Sequence, residues 1–261
     1  MSDILVVKLG GTTLAEQEHV LAEVAVVARR RPVVLVHGGG RRLSEWLGRL
    51  GIHTQFDQGL RVTDAAALEV ATAVLRGVVN SELVAALRGH GVDAVGLSGV
   101  DGGVLIAERL PDVGLVAHVV GIRRDLIDAL LVAGQMPVIA PLARDEHGIV
   151  CNVNADDAAA GLGAGLGCRQ VVLLTDVDGI RDRAGRRLSH VSAADAEELV
   201  ADGVVDGGMV PKLRAAVAAL ATAGSEAIIA DGSARHALQR ALDDPSFGTR
   251  VSGATTAGVA A

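Results

Sequence analysis

This chain uses lysine sparingly beside arginine. Of its 24 Lys and Arg residues only Lys8 and Lys212 are lysine, and each stands beside glycines. An ammonium is a compact point charge and a guanidinium a planar fork. A lysine kept where arginine is the default therefore marks a place where the fork does not fit. Lys8 ends the apolar run 4–7, and Gly10 and Gly11 follow it, leaving backbone N–H groups open to a close anion. Lys212 follows Gly207, Gly208 and Pro211 in the first turn of an expected helix. A cation there opposes the helix dipole by about 0.3–1 kcal/mol, and a bound anion reverses the sign. Two ammonium groups from opposite ends of the chain, meeting on one phosphoryl group, would stabilise charge on its equatorial oxygens. The plainer reading of both is a solvated lysine at a turn or helix end.

A second anion site is written at residues 33–41. The apolar run 33–36 leads into His37-Gly38-Gly39-Gly40 and then a helix over about 41–50, so turn amides and helix dipole face the same ligand. His37 has no partner at ligand spacing and is read as structural, and Cys151 and Cys168 are read as packing residues. Familiar phosphate motifs are missing: there is no G-x-x-x-x-G-K-[ST], no kinase catalytic loop and no D-F-G. The glycines of 161–167 have the wrong spacing for a dinucleotide fingerprint and close a helix instead of opening one, so they read as close packing plus a C-cap.

These residues need a scaffold, and the hydrophobic pattern supplies one. Short, largely apolar runs at 4–7, 33–36, 94–97, 136–140, 170–174 and 227–230 alternate with helical stretches, the signature of an α/β protein with a largely parallel sheet. Thr13 with Glu16 and Ser192 with Asp195 mark helix starts, and Thr63 or Asp64 caps a helical region to about residue 90 with a break near 77–81. A loop or hairpin is expected within 51–62, and hairpins over 104–122 turning near Pro111 and near 146–148, an antiparallel addition to the first half. Residues 249–251 read as an edge strand. A lobe boundary is placed near residue 168.

The 261 residues carry a net charge of −7 with half of them hydrophobic, which disfavours a nucleic-acid protein. The first apolar run is too short for a signal peptide. Apolar segments are broken before the ~20 residues of a membrane span, and two cysteines without metal spacing point to a reduced, cytoplasmic compartment.

The segments VVKLGG (6–11), VHGGG (36–40), GLRVTD (59–64), GLSGVDG (96–102), NVNAD (152–156), LLTDVDGI (173–180) and GGMVPK (207–212) occur in order. Together they resemble the N-acetylglutamate kinases of the amino-acid kinase superfamily over nearly the whole chain. The resemblance implies a three-layer αβα sandwich, with residues 1–168 binding the acyl-amino-acid and mediating dimerisation and 169–261 binding ATP. It implies ATP-dependent phosphorylation of the side-chain carboxylate of N-acetyl-L-glutamate in arginine synthesis. Lys8 and Lys212 match the lysines that stabilise the transferring phosphoryl group, and Asp156 the aspartate that orients them. Gly10, Gly11, Gly38 and Gly39 match suppliers of backbone N–H groups to the γ-phosphate and the acceptor carboxylate. Arg61 matches the arginine gripping the α-carboxylate and Asn152 the substrate-binding asparagine. Asp176, Val177, Asp178, Gly179, Ile180 and Arg181, with Val204, Val205 and Asp206, match the nucleotide-binding segments. Mg²⁺ is expected on the phosphates of ATP, with no side chain assigned as its ligand. The plainer readings are an exposed ion pair for Arg61 and a helix cap for Asp156.

Two departures bear on the carry-over. Val100 stands where many relatives carry lysine, so that loop is assigned nothing catalytic. The chain begins three residues before its first strand, whereas arginine-inhibited relatives carry an extra N-terminal helix. A homodimer without that feedback is expected. Rival readings are a kinase for aminoadipate or glutamate on a carrier protein, a uridylate kinase, and a non-catalytic amino-acid-binding regulator.

Overall fold

Residues 5–7 and 33–36 have no exposed face, which suits strands inside a sheet covered on both sides. The computed structural model, which describes residues 2–10, 14–57 and 59–253, sets them at the middle of an eight-stranded sheet. The first elements are β1 (Ser2–Leu9), α1 (Leu14–Ala28), β2 (Val33–His37), α2 (Gly40–Arg49), the short hairpin β3 (Phe56–Asp57) and β4 (Leu60–Arg61), and α3 (Ala65–Thr72). A π-helical stretch (Ala73–Val79) joins α3 to α4 (Asn80–Gly89), followed by β5 (Ala94–Ser98), β6 (Leu105–Arg109), β7 (Val116–Ile122), α5 (Asp125–Val132), β8 (Met136–Ala140), β9 (Leu142–Arg144) and β10 (Val150–Val153). The remainder is α6 (Ala155–Leu166), β11 (Cys168–Thr175), β12 (His190–Ser192), α7 (Ala193–Ala201), α8 (Met209–Ala218), β13 (Glu226–Asp231), α9 (Ala237–Asp243) and β14 (Thr249–Ser252).

The sheet runs β12-β14-β13-β11-β1-β2-β8-β5, parallel throughout except where β13 meets β14. Its two faces bury different helices. Val6, Val34 and Val36 pack toward α6 and α8, while Leu5, Val7 and Leu9 pack toward α1, α4 and α9. That is the expected three-layer sandwich. Lys8, the Gly38–Gly39 turn, Asp176 and Gly232 all fall at C-terminal strand ends of this sheet, where such folds open their ligand crevice.

α6 lies close on its supports because of its glycines. A methyl group on Gly161 would sit 2.4 Å from Val119 Cγ1, on Gly163 2.4 Å from Val171 Cγ2, and on Gly165 2.3 Å from Ile122 Cγ1. Gly167 ends the helix in the left-handed region at φ 65°. Replacing Gly163 with alanine is expected to lower stability by about 1–3 kcal/mol through overpacking. Urea denaturation checks it; an unchanged midpoint would mean the helix can lift without cost.

Three expectations change. The helix over 65–89 does not break near 77–81; it widens into the π-helical stretch, which absorbs one residue of the periodic pattern without interrupting the chain of hydrogen bonds. It is also long and apolar enough by composition to span a membrane, although Leu83 and Leu87 are buried against the sheet and Arg76 is ion-paired, as in a core helix. β14 is no edge strand: it pairs with β13 on one side and β12 on the other. The hairpins β6–β7 and β9–β10 close on each other as a small barrel. The pair Thr13 and Glu16 lies outside the residues whose side chains are described, as does Gly11. Residue 168 is the first of β11, which pairs with β1 across the expected lobe boundary.

Candidate active site

The two lysines meet. Lys8 Nζ lies 2.7 Å from Asp156 Oδ1 and Lys212 Nζ 3.2 Å from Asp156 Oδ2. The second is an aligned hydrogen bond; the first is a close charge contact off the hydrogen-bond direction. Asp156 sits in the first turn of α6, behind the N-cap Asn154, whose side chain accepts from the Asp156 N–H at 2.8 Å. A carboxylate there agrees with the helix dipole. Lys8 is 4% and Asp156 5% exposed, so one positive and one negative charge are held almost dry, with the second positive charge, on half-buried Lys212, beside them. Burial pushes the Asp156 carboxyl up, but Lys8 and Lys212 together pull it below its usual range. Burial pushes the Lys8 ammonium down, Asp156 opposes this, and Lys212 adds to it. The excess positive charge in a low-dielectric site is a standing attraction for an anion.

Two clefts lie near the cluster. A pocket of about 160 Å³ is bordered by Gly38, Gly39, Arg61, Asn152, Asn154 and Ala155, the last adjoining Asp156. Arg61 is buried and burial lowers its pKa, yet its hydrogen-bond partners are all neutral. Its guanidinium donates to Thr54 Oγ1 and Ser44 Oγ, each at 2.7 Å, and to Gly40 O at 3.2 Å, and stacks on Phe56. Among the described residues no carboxylate pairs with it, so the exposed ion-pair reading fails. Asn152 donates to Thr63 Oγ1 at 3.3 Å. The second cleft, about 530 Å³, is walled by 176–181 and 204–206 together with Met209 and Asp231. Its Asp176 carboxyl is held low by the Thr175 hydroxyl at 2.9 Å, with the charges of Lys212 and Lys8 also acting on it.

The glycines divide differently from expectation. Gly10 N–H donates to Leu174 O at 2.9 Å and Gly38 N–H to Leu9 O at 2.8 Å, so parallel pairing already occupies both amides and neither serves as a ligand donor. Gly10 makes room instead: a methyl there would lie 2.8 Å from Leu174 O and 3.2 Å from Lys8 Nζ. The Gly39 and Gly40 amides have no acceptor among the described residues. Sequence reasoning missed Ser44 and Thr54, which hold Arg61, as well as Asn154, Met209 and Asp231. Only Asn154 carried a signal, as an Asn directly before a helix start.

The model of the amino acid kinase family matches residues 3–231. The chain belongs to the amino acid kinase family. Within that family it is 45% identical over 248 residues to the acetylglutamate kinase of Rubrobacter xylanophilus, covering 95% of this chain and 96% of that one. It is 44% identical over 235 residues to the acetylglutamate kinase of Methanopyrus kandleri, covering 86% and 93%. Among solved structures, N-acetylglutamate synthase from Neisseria gonorrhoeae, complexed with coenzyme A and N-acetyl-glutamate, superposes with a TM-score of 0.80 at 25% identity, covering 95% of this chain and 59% of that one. Carbamate kinase from Giardia lamblia superposes at 0.67 and 18% identity over 96% and 98%, a likeness of fold. This kinase family membership and the paired lysines lead to the same chemistry.

Proposed function

We propose that this protein transfers the γ-phosphoryl group of ATP to the side-chain carboxylate of N-acetyl-L-glutamate, giving the 5-phosphate and ADP. The observation that carries the reading is the Lys8–Asp156–Lys212 cluster, which adjoins Ala155 of the first cleft and acts on Asp176 of the second. In this reading residues 1–168 hold the acceptor and 169–261 the nucleotide. Arg61 grips the α-carboxylate, Asn152 and the Gly39 amide orient the acceptor, and 176–181 with 204–206 cradle ATP. A carboxylate oxygen forms the new bond to phosphorus as the bond to the bridging oxygen of ADP breaks. Lys8 and Lys212 stabilise the charge spread over the three equatorial oxygens between them. The nucleotide cleft presents hard oxygen donors, with Asp176 held ionised, a donor set that fits Mg²⁺ carried on the phosphates. Bound there, the ion would neutralise charge building on the nucleotide. Asp176 would hold its water shell.

Two features support a homodimer: β5 ends the sheet with an open edge, and the helix beside it turns the small residues Ala65, Thr72, Ala73 and Gly77 outward. The buried free thiols of Cys151 and Cys168 suit a reducing cytoplasm.

Purified protein with Mg-ATP, offered in turn N-acetylglutamate, carrier-bound aminoadipate and UMP, tests the assignment. Turnover with N-acetylglutamate is expected; turnover only with the carrier-bound substrate, or with UMP, would overturn it, and none with any would favour a regulator. Arg61→Lys is expected to raise KM for N-acetylglutamate roughly 10- to 100-fold, the worth of a charged hydrogen-bonded contact, with KM for ATP unchanged. An equal rise in both would place Arg61 outside the acceptor site.

A further inference from the structure

His37 is 1% exposed, and nothing in the reaction described above uses it. Its Nδ1 lies 2.6 Å from Gly38 O and its Nε2 3.1 Å from Asn80 Nδ2. The Asn80 amide nitrogen also donates to Val138 O at 2.9 Å, which fixes that nitrogen, a donor only, toward the imidazole. Nε2 therefore accepts, and the proton sits on Nδ1, donated to the Gly38 carbonyl. Burial, with the nearby Arg76 charge, outweighs that carbonyl contact and drives the ring's pKa down to about 4, so the imidazole is neutral.

The peptide between Gly38 and Gly39 is planar and trans, so its C=O and N–H point opposite ways. Turning the carbonyl to the buried ring turns the Gly39 N–H toward the pocket that Gly39 borders. Gly39 itself has φ 148°, and a methyl there would meet Leu75 Cδ2 at 2.7 Å. Behind Asn80 the network continues. Arg76 Nη1 donates to Asn80 Oδ1 at 3.4 Å, its Nη2 to Gly96 O at 3.1 Å, and its Nε to Asp101 Oδ2 at 3.3 Å. Asp101 in turn accepts from the Ser98 N–H and hydroxyl at 2.6 and 2.9 Å. The GLSGVDG segment, without a part in catalysis, thus anchors the far end of this chain of contacts.

We propose that His37, locked by Asn80 in its Nδ1–H tautomer, is a positioning residue that aims the Gly39 amide at the acceptor carboxylate. The proposal rests on the acceptor-pocket reading above. ¹⁵N-histidine NMR of the full chain tests the geometry whatever the acceptor. One of the eight histidines is expected neutral and protonated on Nδ1 at pH 7, with that signal missing in His37→Asn; an Nε2–H tautomer or an imidazolium at that position overturns the proposal. Kinetics test the role. His37→Leu is expected to lower kcat/KM for N-acetylglutamate roughly 10- to 100-fold, as misaiming an oxyanion-type donor does, with KM for ATP within about twofold. His37→Asn, whose amide nitrogen overlays Nδ1, is expected to restore most of the loss. Unchanged acceptor kinetics in His37→Leu, or an equal rise in both KM values, overturns the proposal. Failure of the acceptor reading shows separately, as absent turnover by the unmutated enzyme.

Discussion

Lys8→Met is expected to lower kcat by roughly 10²–10³-fold, the scale for removing one preorganised donor to a developing charge, with both KM values within a few-fold. The lysine's charge matters most when the phosphoryl group is between donor and acceptor, so its loss falls on kcat. Methionine keeps the length of the side chain in a slot that is already 96% hidden from water by Lys8's own burial at 4% exposure. Because burial disfavours the Lys8 charge in the first place, the melting temperature is expected to stay within a few degrees. Lys8→Arg is expected to be no better than methionine. The slot beside Gly10, whose methyl position would lie 3.2 Å from Nζ, has no room for a fork. Steady-state kinetics with a thermal melt check both variants; near-normal turnover by the arginine variant would show that shape at this position is immaterial.

Asp156→Asn carries the largest expected effect on stability. It keeps the shape of the side chain and removes the one negative charge that Lys8 and Lys212 share. Breaking a buried charge cluster in this way typically costs about 3–5 kcal/mol. Turnover falls with it, because two unscreened ammonium groups drive each other apart. The sign of the pH dependence follows from the carboxyl lying below its ordinary value of 3.8 in the folded chain. Its stabilising contribution is complete above that ordinary value and disappears as pH falls through the lower, folded value. The gap between the native chain and Asp156→Asn is therefore expected to be full at neutral pH and to narrow below pH 3.8. Urea midpoints of both proteins across that range measure it, and equal midpoints at neutral pH would show that the cluster does not hold the fold.

Lys8, Lys212 and Asp156 were legible because scarcity made each lysine informative and motif order tied them to one aspartate. The cores of β2 and β11, residues 33–36 and 171–174, were legible because a doubly covered strand has to be apolar on both faces. What could not be read is set by contacts between distant residues. Nothing in the types of Ser44 and Thr54 says that Arg61 will lie between them. The Gly10 and Gly38 amides looked open because their acceptors, Leu174 O and Leu9 O, belong to neighbouring strands. Gly77 has the local character of a helix break, but one wide turn accommodates it. The order of short strands such as β12 and β14 follows from packing at the sheet's end, and local pattern does not encode it.

The central claim is that both ammonium groups close on one phosphoryl group in flight. A crystal structure with MgADP, a metal-fluoride mimic of the transferring group and N-acetylglutamate tests it directly. Lys8 Nζ and Lys212 Nζ are expected each within about 3 Å of an equatorial fluoride, a hydrogen-bond distance, with the acceptor carboxylate in line on the side of Gly39 and Arg61. A mimic held elsewhere, or contacted by only one of the two lysines, would contradict the account.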